Sequence, residues 1–489
     1  GREWDNWFPN WSDAVAAAEA CNDPAQSSGI VCDDAYWNAS GLRQEDLGYL
    51  ALDLPLGEAW RLTTTAYLHK DEGQGLWGTP YVPTPGGAPL SIRTTEYDLD
   101  RQGVIASLTW RGEAHEISAG AWYETNDFTQ ARRFYAEPSS AAPSRSFEDM
   151  QRNPFRTDWE YDFETETVTF YLQERWTLTD GLRLDVGFRS VNVENRATTI
   201  VGDVKSGAIE ADEPFLPQVG VNWRLGEEME AFASVARNVR AFASSGTSGP
   251  FSTNAAAFNA IRDSLEPETS TNYEAGLRFR GRSLDGVVTA YHVDFDDRLL
   301  GIPQCLGIVG CAGALANVGS VRTNGIEAAL AWRALDHVSW FNSLAWNDSE
   351  FADDYTITDA QGTRTVVPVS GKQVPDAPEI LFKSELSYDN GSLFAHFDLN
   401  YTDERFYTYL NEGGVGAYTL LNVGVGYRFK GVLAVEELLL QADVTNLTDE
   451  EYFSTIDSNG FVNSDLDRNE QTLLLGAPRQ FFVSLKARF

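Results

Sequence analysis

The sequence predicts an all-β fold, a transmembrane antiparallel up-and-down β-barrel, and three observations carry the prediction. First, segments of about ten residues alternate apolar and polar side chains. In residues 421–429, Leu421, Val423, Val425, Tyr427 and Phe429 share one face, and Asn422, Gly424, Gly426 and Arg428 share the other. A strand turns successive side chains to opposite faces, so each such segment has one apolar face. Second, short and long connections alternate along the chain, the signature of tight turns at one barrel end and long loops at the other. Third, aromatic residues cluster near the strand ends, and the chain ends on an aromatic strand, 481–489, closing at Phe489. A soluble sandwich shares the first feature but not the other two. No run of 18 apolar residues occurs, so no helical span is predicted.

Taken in order, residues 1–44 read as one long loop outside the membrane, with an aromatic cluster (Trp4, Trp7, Phe8, Trp11), a short helix near 14–20 and a cysteine pair. Residues 45–489 read as the barrel. Strands are predicted at 49–54 and 60–68, then a long loop at 69–95. Strands at 104–110 and 116–123 precede a long loop at 124–161. Strands at 168–178 and 182–193 precede a long link at 194–214, and strands at 219–225 and 229–236 precede one at 237–269. The second half repeats this: 273–280 with 287–295, 325–332 with 338–346, 381–388 with 393–401, 420–429 with 438–444, and the final strand. The count is about seventeen. Single-chain bacterial barrels have even strand numbers, and an open barrel leaves unpaired edges in lipid. Further strands are therefore expected before Gly1, which is not a Met and carries no visible signal peptide.

The formal charge is −35, with 72 acidic against 37 basic residues. That argues against nucleic acid, whose phosphates need a basic footprint. Two readings of the acidity stand: solvated loops, or divalent cations bridging acidic loops to a lipopolysaccharide surface. The four cysteines form two close pairs, Cys21/Cys32 and Cys305/Cys311, in loop-like sequence on the long-loop side. Their spacing is not a zinc pattern. Two local disulfides, Cys21–Cys32 and Cys305–Cys311, made in an oxidising compartment, are expected. Free buried thiols are the alternative.

Several stretches then resemble the TonB-dependent outer-membrane transporters. Asn446, Leu447, Asp449 and Tyr452 match an N-L-x-D-x-x-Y element, and Gly476, Ala477, Pro478 and Arg479 lead into a similar terminal strand. Leu265, Pro267 and Glu268 with Tyr273, Glu274 and Gly276 resemble a second segment, and Asn317, Gly319, Gly325 and Glu327 a third. Tyr171 to Glu174 with Leu178 to Gly181 is similar to the family's strand–turn–strand. The resemblance implies a 22-stranded barrel, a plug within it and a TonB-contacting box before the plug. Neither plug nor box appears in these residues, and the strand at 49–54 would be the sixth of the full set. Asn446 and Asp449 are expected to cap a strand end as Asx turns, and Gly325 to permit close backbone approach.

Chemistry-bearing residues are sparse. His69, His115, His292, His337 and His396 are scattered with no ligand spacing. No nucleophile elbow, phosphate loop or Cys-His pattern occurs, and His396 with Asp398 on one face lacks a third member. The chain is expected not to be an enzyme and to hold no cofactor. The acidic runs Asp294, Asp296, Asp297 and Asp353, Asp354 offer oxygen ligands of the kind calcium takes, against a solvated face. Ligand contacts are expected from Trp77, Tyr81, Arg132, Arg133, Phe134 and Tyr135 in the long loops, since aromatic faces stack on rings and arginines pair with anionic chelates. An interfacial girdle or loop packing is the competing role for these aromatics. The resemblance implies capture and import of a scarce bulky ligand (a ferric siderophore, an oligosaccharide or a vitamin) driven through TonB. A passive porin-like or structural barrel is the alternative. Outer-membrane lipid, lipopolysaccharide and a surface lipoprotein complete the expected partners.

Overall fold

In the computed structural model of the chain, the described residues are all but 1–5, 9, 23–34, 204, 206, 303–313, 318, 359–363, 432–434 and 458–471. They build one antiparallel wall of 17 strands in chain order. The strands are β1 Ala35–Leu56, β2 Trp60–Thr79, β3 Ser91–Arg111, β4 His115–Ala136, β5 Arg156–Thr179 and β6 Leu182–Val201. Then come β7 Gly207–Arg224, β8 Met229–Arg240, β9 Glu268–Arg280, β10 Leu284–Asp296, β11 Val321–Leu335 and β12 Val338–Phe351. The wall ends with β13 Ile380–Asp389, β14 Leu393–Thr402, β15 Tyr418–Lys430, β16 Glu437–Thr445 and β17 Gln480–Arg488. Each strand pairs with its chain neighbours, and β1 and β17 are the two edges. A three-residue strand, Asn6–Phe8, lies parallel to the start of β1.

The register sorts side chains onto two faces. Leu50, Leu68, Val104, Tyr123 and Phe170 stand exposed on the outer face. Trp60, Trp176, Trp223, Trp332, Trp340 and Tyr427 ring that face at the short-turn end. An exposed apolar band edged by aromatics is what a lipid-facing barrel wall presents. The opposite, inner face of the same strands carries Tyr67, Arg101, Trp122 and Glu124, tied by a hydrogen bond from Tyr67 to Glu124 and one from Trp122 Nε1 to the Tyr67 hydroxyl at 3.0 Å.

The seventeen wall strands match the expected number, but several run far beyond their expected ends. β1 begins at Ala35, not near 49, so residues 35–44 are strand and not loop. The expected loops at 69–95 and 124–161 shrink to 80–90 and 137–155, and the long link at 194–214 shrinks to 202–206. The physical reason is common to all. Beyond the apolar band both faces of a strand are polar or buried, so the period-2 hydrophobic signal ends while backbone pairing continues. At the other end of the loop reading, Trp11–Asn22 forms helix α1, longer than the expected 14–20. Its Ala14, Val15 and Ala18 pack with Leu90, against Trp11 and Trp37. No helix among the described residues is long and apolar enough to cross a membrane.

Gly325 shows the close approach directly. It faces Tyr291 across the β10–β11 ladder, and a Cβ there would meet the Tyr291 ring at 2.2 Å. The ring lies over the glycine and sends its hydroxyl to Asn347 Oδ1 at 3.0 Å.

Candidate functional site

The long-loop end of β2–β5 gathers the expected ligand residues, and the pleat divides them. Trp77 on β2, Arg93 on β3, Phe134 and Arg132 on β4 and Trp159 on β5 lie on the inner face through the ladder pairs Trp77–Arg93, Arg93–Phe134 and Arg132–Trp159. Tyr81, just past β2, meets Phe134 edge-on at 6.3 Å. Arg133 and Tyr135, one residue out of step, point to the outer face. The expected set is therefore two groups back to back, and most of it sits on strands, not in loops. Arg93 lies eleven residues from Val104, roughly 35 Å along the strand beyond the apolar band.

The inner group is an alternation of cations and rings. The Arg93 guanidinium stands 4.3 Å from the Trp77 ring centroid, and Arg132 stands 5.3 Å from that of Trp159. Arg156 covers Phe134 at 5.4 Å. Arg93 is only 2% exposed, and its Nε and Nη1 find no hydrogen-bond acceptor among the described residues. Burial, followed by the neighbouring charge of Arg132, pulls the Arg93 pKa down to about 9. Burial lowers Arg132 as well, and burial raises the Tyr81 phenol. Tyr81 and Asp158 partly offset the field of the two arginines. Asp158 is paired with Arg156 at the edge of the group, and the acceptor deficit falls on Arg93; a cation set among rings in this way suits an oxyanion with a flat body.

The outer group is a structural knot. Glu96 accepts from Thr94 Oγ1 (2.6 Å), the Tyr135 hydroxyl (2.5 Å) and Arg133 Nη1 (2.5 Å). Arg133 also pairs with Glu160 at 2.9 Å. Residues 137–155 fold back over this face as a strap. Phe147 packs on Leu76, Ile92 and Tyr135, and Gln151 and Gln74 exchange two hydrogen bonds at 2.6 and 3.0 Å.

Arg93, Trp159 and Asp158 were missed by sequence reasoning, which treated 69–95 and 124–161 as loop. The signal existed: from Ser91 to Tyr97, Ile92, Thr94 and Glu96 alternate with Arg93, Thr95 and Tyr97. It is a polar alternation, which a search for apolar faces passes over.

The remaining candidates fall elsewhere. Cys21 is disulfide-bonded. Cys32, Cys305 and Cys311 lie outside the described residues. Asn446, at positive φ, holds the end of β16: its Nδ2 donates to the carbonyls of Glu450 (2.9 Å) and Ala477 (3.1 Å), and its Oδ1 accepts from Glu450 N (2.8 Å). Leu447 N donates to Leu421 O (2.7 Å), Asp449 Oδ1 accepts from Arg479 N (2.9 Å), and the Tyr452 ring stacks 4.5 Å from Tyr418. Phe489 ends the chain exposed.

Asp294 and Asp296 lie within β10 and not in a loop, and Asp294 is engaged by His292 (3.0 Å) and Arg322 (3.6 Å). Asp354 accepts from Ser370 N at 2.9 Å, and a Cβ at Gly319 would touch the Asp353 side chain. No group of three metal-ligating side chains converges among the described residues. His396 Nε2 lies 3.6 Å from Asp398 and 3.8 Å from Asp443, between two carboxylates and beyond hydrogen-bond reach of both. His69 lies on β2, not in a loop, between Glu45 and Arg101 at 2.9 and 3.0 Å.

Comparison with known proteins adds the following. Residues 1–447 match the family described as TonB dependent receptor-like, beta-barrel. Among solved structures, the chain is similar to the ferric yersiniabactin uptake receptor FyuA from Yersinia pestis (TM-score 0.63, 16% identity, 92% of this chain and 62% of that one). It is similar to the ferric citrate transporter FecA (TM-score 0.69, 16% identity, 91% and 62%). It is also similar to BauA, the ferric preacinetobactin receptor from Acinetobacter baumannii (TM-score 0.63, 17% identity, 92% and 63%). The chain spans less than two thirds of the length of these three structures.

Proposed function

Because this chain belongs to the TonB-dependent receptor family, we propose that it is the barrel wall of an outer-membrane receptor that captures a scarce ligand and passes it inward under TonB control. The long loops face outward, and the short turns face the periplasm. The edges of β1 and β17, unpaired over most of their length among the described residues, pair in the membrane with further strands, because open backbone in lipid costs several kcal/mol per group. TonB acts through a segment outside the residues described here. Two local disulfides, Cys21–Cys32 and Cys305–Cys311, tie loops on the outward side.

The observation that carries the reading is the inner-face cluster of Trp77, Tyr81, Arg93, Arg132, Phe134 and Trp159. It lies beyond the apolar band, on the wall a ligand would pass, and it holds Arg93, two of whose guanidinium nitrogens find no acceptor among the described residues, beside Arg132 and the aromatic rings. The favoured ligand class is an anionic metal chelate, in keeping with the ferric complexes named for the three similar structures.

The test is uptake by cells carrying the full-length receptor. Radiolabelled ferric chelates should accumulate only when receptor, TonB and the proton-motive force are all present. Accumulation that persists without TonB, with steady conductance of the purified receptor in planar bilayers, would overturn the reading in favour of a passive pore.

A further inference from the structure

Residues 241–264, between β8 and β9, fold down onto the inner face of β5–β7. Phe242, Phe251 and Phe258 are buried there against Tyr161, Phe163, Ala197, Ile209 and Ala211. Gly246 seats on the Trp159 and Tyr161 rings, where a Cβ would meet both at 3.0 Å, and its N–H donates to Gln130 Oε1 at 2.7 Å. Asn195 Nδ2 donates to Phe242 O (3.2 Å) and Ser244 Oγ (2.7 Å). These ties are neutral. A charged tie joins them: Lys205, 4% exposed, donates from Nζ to Phe251 O at 3.0 Å and stands 4.8 Å over the Tyr161 ring.

We propose that residues 241–264 form a gate over the inner wall, latched through Lys205, and that the latch tightens as pH rises above neutrality. A seat built from aromatic rings and one carbonyl must desolvate an ammonium group. Among the described residues the groups near it are Asp203 from the β6–β7 turn and the Tyr161 phenol from β5, with Arg262 farther along at Gly207 and paired with Asp263 at 3.3 Å. Burial pulls the Lys205 pKa from 10.5 down to about 8, with Asp203 opposing. The Tyr161 phenol is raised by burial to about 12 and does not titrate in the window. The sign follows from linkage. The latched state holds fewer protons than the open, solvated state between about 8 and 10.5, so rising pH favours the latched state there. The two pKa values give a latched-to-open ratio about tenfold higher at pH 9 than at pH 7. Trp159, the ring under Gly246, is also the ring that carries Arg132, so gate and cation cluster share one side chain. The meaning of this for uptake rests on the receptor reading above; the latch itself does not.

The experiment places a nitroxide on exposed Ser248 (Ser248→Cys) of the full-length receptor in outer-membrane vesicles and follows its mobility from pH 6 to 10. The expected result is a shift toward the immobile component, about tenfold in ratio between pH 7 and 9, with little change below pH 7. In Lys205→Met the ratio should lose its pH dependence. Tyr161→Phe keeps the ring and removes the second titratable group, and it should retain the response. A flat profile in the otherwise native receptor, or a retained profile in Lys205→Met, overturns the proposal. Uptake is not read, so failure of the receptor reading leaves this result standing.

Discussion

Arg93 is a residue whose burial works against it. Its guanidinium is stacked on Trp77, and two of its nitrogens find no acceptor among the described residues. Replacing an under-paired buried charge by an apolar side chain of similar length is often neutral or stabilising. Arg93→Met is therefore expected to leave the thermal unfolding midpoint unchanged or raised, while binding of an anionic chelate falls at least tenfold. A lowered midpoint with unchanged affinity would mean that Arg93 serves the fold alone. Asn446 is the opposite case. It sits at positive φ, 4% exposed, with donors and acceptor all engaged at the end of β16. Asn446→Ala loses hydrogen bonds worth about 1 kcal/mol each and adds left-handed strain of about 1 kcal/mol, so a loss of ~2–4 kcal/mol is expected. Asn446→Gly tolerates that backbone and should cost less, which urea unfolding of the two variants will resolve. The motif around Asn446 was legible in sequence because turn chemistry uses few residue types at fixed spacing. Arg93 was not, because nothing local marks an arginine as buried.

At the level of elements, the strands in the apolar band were legible and their extensions were not. Residues 104–110 announce themselves by alternation of Val104, Ala106, Leu108 and Trp110 with Ser107 and Thr109, Ile105 alone falling out of phase. Residues 91–103 continue the same strand with the carboxylates Glu96, Asp98 and Asp100 on one face and Arg93, Tyr97 and Arg101 on the other. Their pairing is set by the neighbouring ladders, which are non-local information. The strap at 137–155 is the same lesson in a loop: its anchor, Phe147, has no apolar neighbour in sequence and four in space or nearby, Leu76, Ile92, Tyr135 and Trp37. Truncating a buried phenylalanine costs about 3 kcal/mol or more. The strap is held to the wall by side-chain ties and the Phe147 contact, so Phe147→Ala should release it locally and not unfold the barrel. Trypsin cleavage after Arg145 should accelerate on the order of a hundredfold, while the barrel's unfolding midpoint moves little. Equal rates in both proteins would show that the strap is held by its hydrogen bonds alone.

Over the whole molecule, the charge of −35 acquires a place. The sequence suggested acidic loops, but much of the acid lies on paired strands, on the outer face just beyond the apolar band. One row across the ladder reads Asp46, Lys70, Asp100, Asp127, Glu164, Arg196. The row nearer the band holds Glu166, Glu194 and Glu210 side by side, and the row farther out holds Glu72, Asp98 and Asp162. Like charges directly opposite in a sheet destabilise it, and here Lys70 pairs with Asp100 while Arg196 pairs with Glu194, leaving carboxylate beside carboxylate. Repulsion between exposed charges a few ångströms apart is relieved by mobile ions, since the screening length falls from about 30 Å at 0.01 M to about 8 Å at 0.15 M salt. The unfolding midpoint should therefore rise with monovalent salt over this range, the reverse of a fold held by surface ion pairs. Magnesium at equal ionic strength should raise it further, because a divalent ion neutralises two carboxylates at once. Glu194→Gln with Glu166→Gln should weaken both responses by removing two of the three adjacent carboxylates in the row nearer the band. A midpoint that falls with salt would show that the attractive pairs, such as Arg133 with Glu96 and Glu160, outweigh these rows in the energetics of the wall.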